Sequence, residues 1–132
     1  MQYIAVLVAA AGAYAYGAFW YMTLSRQWLA ASGVACDEKG KPLNSSMTPF
    51  IISAVCVILV SGMMRHVFVM AHMTTVIEGL MGGFGIGFFL VLPWVVTNYA
   101  YAGRPAALSM IDGAYAVIGC TIIGVILTLF GI

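Results

Sequence analysis

Residues 79–103, GLMGGFGIGFFLVLPWVVTNYAYAG, contain no charged side chain. A hydrocarbon core about 30 Å thick needs about 20 helical residues to cross, and this run exceeds that. Inside lipid a backbone must satisfy its own polar groups, so only a helix or a closed barrel spans. A barrel requires short alternating strands with a polar lumen, and a glycine-interrupted aliphatic run does not alternate. The stretch therefore reads as a membrane-spanning helix.

Working outward, the pattern repeats. Residues 1–25, MQYIAVLVAAAGAYAYGAFWYMTLS, are also free of charge and end among the interfacial aromatics Trp20, Tyr21 and, slightly beyond, Trp28. Residues 50–70, FIISAVCVILVSGMMRHVFVM, carry Arg65 only near their far end, where its long stem snorkels to the headgroups. Residues 106–130 are apolar except for Asp112. Pro49 suits a helix start, and Arg104-Pro105 marks a turn. The reading predicts helices over 2–24, 49–69, 75–98 and 106–130, with a polar loop over 29–48. The fold class is all-α: a polytopic membrane protein, one compact four-transmembrane-helix bundle.

Composition agrees. Of 132 residues, 64% are hydrophobic and 7% charged, against roughly 25% charged in soluble domains. Five basic and four acidic side chains cannot clothe so small a particle in water, so the lipid bilayer is the expected partner. A formal charge of +1 leaves no basic stripe, which argues against nucleic acid as a partner. Cys36, Cys56 and Cys120 show no paired spacing and read as small apolar residues. The glycines of GLMGGFGIG lack the Lys-Ser/Thr ending of a phosphate loop, and no nucleophile-base arrangement stands out. A non-enzymatic role is the preferred expectation.

Basic residues set the expected topology. Arg26, Lys39 and Lys41 fall in the first connection and Arg104 in the third, with only Arg65 toward the opposite side. The positive-inside tendency puts those connections in the cytoplasm and both termini outside. With no basic residue before the first run, that run is expected to be a true span rather than a cleaved leader, and no lipidation signal is seen.

Gly79, Gly83 and Gly87 recur every four residues and form one small face for close helix packing, within the bundle or against a second copy in a homo-oligomer. Pro93 predicts a kink in the third span, or a hinge beside a site. Asp112 is the foremost polar candidate, because a carboxylate in the membrane must face protein or a wet cavity. Trp20, Tyr21, Arg26, Trp28, Asn98, Tyr99, Arg104 and Tyr115 fall at the same membrane side, so the expectation is one polar cluster with Arg26 or Arg104 paired to Asp112. That cluster is either a structural ion pair or a ligand site. On the other side Glu78 is expected to complement its helix dipole and pair with Arg65. His66, Met70 and Met73 form a soft set for copper, or an axial pair for haem, if the helix continues. Ordinary packing is the preferred reading, so no cofactor and no metal site is expected.

Three stretches carry a family resemblance: GAFWYMTLSRQW at 17–28, PWVVTNYAYAGRP at 93–105 and MIDGAY at 110–115. The chain resembles domain-of-unknown-function family 1761, small integral membrane proteins of bacteria. Its first-helix glycine, Trp-Tyr pair and later tryptophan match Gly17, Trp20, Tyr21 and Trp28. Its asparagine and glycine-arginine turn match Asn98, Gly103 and Arg104, and its acidic and aromatic pair Asp112 and Tyr115. Where members often carry a glycine-lysine pair this chain has Ser25 and Arg26. The resemblance implies the four-helix class and a bacterial inner membrane, and no reaction. The functional expectation is binding or transport of a small solute, ion or lipid through the polar cluster. The alternatives are a scaffold or accessory subunit without a ligand, and a cofactor-bearing redox or enzyme module.

Overall fold

The computed structural model describes residues 1–43 and 45–132. Helix α1 covers Gln2–Thr23, α2 Ser25–Ser32, α3 Thr48–Met70, α4 Val76–Gly85, a π-helical turn Ile86–Val91, α5 Leu92–Tyr101 and α6 Ala106–Leu129. Four segments are long and apolar enough to cross a bilayer: α1, α3, the continuous 76–101 rod, and α6. Their outer faces stay apolar, with Trp94 at 70% and Phe89 at 69% exposure. Such a surface is stable against lipid tails and not against water. The chain is a multi-pass membrane protein built as a helical bundle.

The core is narrow because small residues let the helices approach closely. Ala5, Ala9 and Ala13 form a stripe on α1 and pack against Phe68, Ile123 and Leu127. Helix α6 lies centrally, touching every other helical element of the bundle. Its tightest neighbour is α4. A Cβ on Gly83 would stand 2.9 Å from the Thr121 Cα and one on Gly87 2.6 Å from the Val117 Cα, while Gly79 abuts Thr128 and Gly124. The Gly79/Gly83/Gly87 face is thus covered by the chain's own α6, and is not left for a neighbouring subunit.

Pro93 explains the irregular third span. It has no amide to donate and its ring crowds the carbonyl one turn back. The chain widens just before it, and the Leu92 N–H reaches the Gly87 carbonyl in an i to i−5 bond. Helix α4 starts on a capping box: the Thr75 side chain accepts the Glu78 N–H at 3.2 Å, and the Glu78 carboxylate accepts the Thr74 and Thr75 amides at 2.8 Å each. That carboxylate serves its own helix terminus, which corrects the expected Arg65–Glu78 pair; the Arg65 Nε has no hydrogen-bond partner among the described residues. Removing the cap with Thr75→Ala is expected to cost roughly 0.5–2 kcal/mol. Faster hydrogen exchange confined to the first turn of α4 would show it.

Sequence patterning ends the first helix at 24 and places a polar loop over 29–48, so it does not foresee α2 over Ser25–Ser32. Leu24 leaves the helical path with φ −103° and ψ 18°, and the new helix ends at Gly33 in the left-handed region, φ 71°. That left-handed conformation favours glycine. Beyond it Asp37 organises a tight turn, its Oδ1 accepting the Lys39 and Lys41 amides at 2.9 Å.

Candidate functional site

Two features occupy the end of the bundle that carries Arg26, Lys39, Lys41 and Arg104, here called the basic side. The first is a knot around Asp112. This carboxylate sits six residues into α6, about 9 Å along the axis at 1.5 Å per residue. Tyr21 Oη donates to its Oδ1 at 2.6 Å, Trp28 Nε1 to the same oxygen at 3.1 Å, and Tyr99 Oη to Oδ2 at 2.5 Å. Trp20 Nε1 donates to the Ile111 carbonyl at 3.0 Å. Helices α1, α2 and α5 therefore converge on one turn of α6. The kink at Leu24 is what brings Trp28 back over Tyr21, their rings edge to face at 6.2 Å.

Among the described residues, Asp112 has no cationic partner. Arg104 instead donates through Nη1 to the Ser32 carbonyl at 3.0 Å, tying α2 to the turn before α6. Arg26 and Asn98 lie on exposed faces. The expected Asp112 pairing with Arg26 or Arg104 is thus corrected. Two phenols and an indole fill three of a carboxylate's roughly four acceptor positions, which satisfies Asp112 without a guanidinium. Of the nine residues the sequence singled out, Tyr21, Trp28, Tyr99 and Asp112 meet directly. Trp20 and Tyr115 pack beside them, Arg104 braces α2, and Arg26 and Asn98 stand apart.

The second feature adjoins the first through Tyr115. Its ring leans on Tyr21 at 5.1 Å and stacks on Tyr16 at 6.1 Å, and it also lines a cavity of about 870 Å³. The cavity exists because α3 rests mainly on α1 and only lightly on α6 and α4, leaving a cleft toward the π-helical turn. Its α3 wall holds Ser53, Cys56 and Val60, its α6 wall Tyr115, Gly119 and Ile123, and Val91 closes the back. Gly119 is informative. It is buried, yet a Cβ placed there would meet nothing within 4 Å. The open space in front of it is the cleft.

The cleft is graded. Ser46, Thr48 and Ser53 supply hydroxyls at the basic side, and the walls become aliphatic toward Val60 and Ile123. Val60 is twelve residues past Thr48, about 18 Å along the helix. The volume falls near the upper part of the roughly 300–1,000 Å³ range of small-molecule sites. No local sequence signal marked Ser53, Cys56 or Gly119, because a gap between helices belongs to tertiary packing. The hydroxyls at the head of α3 were the nearest hint.

The soft-ligand set on the opposite side does not assemble. Helix α3 ends at Met70, His72 takes φ 55°, and Met73 turns inward to pack on the core. His66 and Met70 remain exposed. Among the described residues no group of three His, Cys, Asp or Glu side chains is placed to hold a metal.

No curated protein and no solved structure matches the chain. A family model does, described as a protein of unknown function (DUF1761) and covering residues 4–128. A match over almost the whole length spans both the knot and the cleft, and the chain belongs to that family.

Proposed function

We propose that this membrane protein binds a membrane amphiphile in the cleft between α3 and α6, polar end at the basic side and tail toward the bundle middle. The carrying observation is the cavity of about 870 Å³ with hydroxyls at one end and aliphatic walls at the other. The asymmetry matches a molecule with one polar end. On this reading the Asp112 knot is the frame, not the ligand site: it fixes Tyr21, and through it the ring of Tyr115 that forms part of the wall. The basic side faces the cytoplasm, following the distribution of Arg26, Lys39, Lys41 and Arg104.

Gly119→Leu tests this. The new side chain projects into open space, so the bundle is expected to keep its melting temperature while the cleft is filled. Forcing a ligand into a filled site costs roughly 1–3 kcal/mol, so the amphiphile recovered per chain by extraction and mass spectrometry should fall about tenfold or more. Equal recovery from both proteins would overturn the proposal. So would light scattering showing a dimer that Gly119→Leu dissolves, since the cleft would then hold a helix of a second copy.

A further inference from the structure

Which amphiphile fits is decided at the polar end of the cleft, an inference that rests on the binding role proposed above. In a bilayer an aliphatic wall offers a tail little that neighbouring lipid does not already offer. Discrimination therefore falls to the headgroup and the groups that meet it.

Those groups are hydroxyls. Ser46 Oγ accepts the Thr48 amide at 3.0 Å, which leaves its own proton free to donate. Ser53 Oγ donates to the Phe50 carbonyl at 3.0 Å, which leaves its oxygen free to accept. Thr48 lies beside them and Tyr115 deeper in. No lysine, arginine or acidic side chain lines the cavity among the described residues. The basic residues of this side do not line it: Arg104 donates to the Ser32 carbonyl, Arg26 lies on the exposed face of α2, and Lys39 and Lys41 lie exposed in the turn where their backbone amides bond Asp37.

The N-terminus of α3 does not substitute for a cation. Its Thr48 amide is taken by Ser46, Pro49 has none, and the Ile51 amide bonds the Met47 carbonyl at 3.1 Å, so among the described residues only the Phe50 N–H of the first turn is left to an anion, a single neutral donor. A carboxylate or phosphate drawn into this mouth would lose water with no opposite charge to replace it. A hydroxyl or ester carbonyl is satisfied by hydroxyl partners alone, since each of these both donates and accepts.

We infer that the cleft selects neutral amphiphiles with a hydroxyl or carbonyl head, and discriminates against anionic ones of the same chain length. The test uses the full chain in zwitterionic nanodiscs loaded with radiolabelled monoolein, competed at pH 8 by oleyl alcohol, monoolein, oleate and oleoyl lysophosphatidate. The neutral pair should displace the label at concentrations about tenfold below the anionic pair. Equal potency would overturn the neutral selectivity while leaving amphiphile binding intact. Absence of saturable monoolein binding together with saturable oleate binding would also overturn it, and no saturable binding of any chain would remove the binding role itself. Ser53→Lys, at an exposed position of α3, supplies a cation at the mouth and should reverse the order in favour of oleate. An unchanged order in that variant, with the protein folded, would contradict the placement of the headgroup.

Discussion

Gly83→Leu is expected to leave little or no monodisperse protein after detergent extraction, whereas Gly85→Leu on the same helix is expected to behave like the parent. The two positions differ in what lies in front of them. A Cβ on Gly83 runs into α6 backbone at Cys120 and Thr121, and one on Gly85 meets nothing within 4 Å. Backbone cannot rotate away as a side-chain tip can, so the helices must separate. Overpacking of a well-filled interior costs roughly 1–3 kcal/mol where side chains give way, and here the obstacle is main chain. Separation would also undo the reciprocal contact of Gly124 with Gly79 and Gly83. Size-exclusion profiles and thermal melts of the two variants decide the matter. A Gly83→Leu protein as stable as Gly85→Leu would show that the α4–α6 seam is not closely packed.

Asp112→Leu is the second large effect. The substitution keeps the approximate volume but removes the acceptor of Tyr21, Trp28 and Tyr99. The three bonds are half-buried, so each donor left unpaired costs toward the low end of about 1–3 kcal/mol, and the loss should be about 3 kcal/mol. Asp112→Asn retains a carbonyl acceptor and should lose less, on the order of 1–2 kcal/mol. Arg104→Gln separates this account from an ion pair. Arg104 bonds a backbone carbonyl and not Asp112, so its replacement should cost about 1 kcal/mol or less. If Arg104→Gln were as damaging as Asp112→Leu, Asp112 would be paired with it in the membrane.

Much of this architecture was legible in the sequence because lipid imposes a severe rule: a long uncharged run has to be a helix. The third span shows where legibility stops. Its glycine spacing announced a close contact, but not that α6, through Gly124 and the main chain at Thr121, would fill it. Pro93 announced a distortion, and the backbone met it by widening a turn over Ile86–Val91 rather than by breaking. At the knot the residue types were readable and the pairing was not. The pairing depends on α2, and SRQWLAAS has neither the length nor the apolar run that marks a span. Once α2 folds back, Trp28 reaches Asp112 and Arg104 is drawn to Ser32. The cleft itself had no local signal beyond the hydroxyls at the head of α3, since it arises where α3 leans toward α1 and away from α6.

Knot and cleft form one unit. Three helices close on Asp112 of α6, the aromatic stack carries that order to Tyr115, and Tyr115 walls the space that Gly119 leaves open. A loosened knot is therefore expected to weaken amphiphile retention without any substitution among the cleft's own lining residues. The most direct test is photocrosslinking of the full chain in nanodiscs with a diazirine-bearing oleyl alcohol, followed by peptide mapping. Adducts are predicted on the cleft walls, around Ser53 to Val60 of α3 and Tyr115 to Ile123 of α6, and should be competed away by unlabelled oleyl alcohol. Adducts spread without competition over lipid-facing positions such as Ile51, Phe89 and Trp94 would contradict the account.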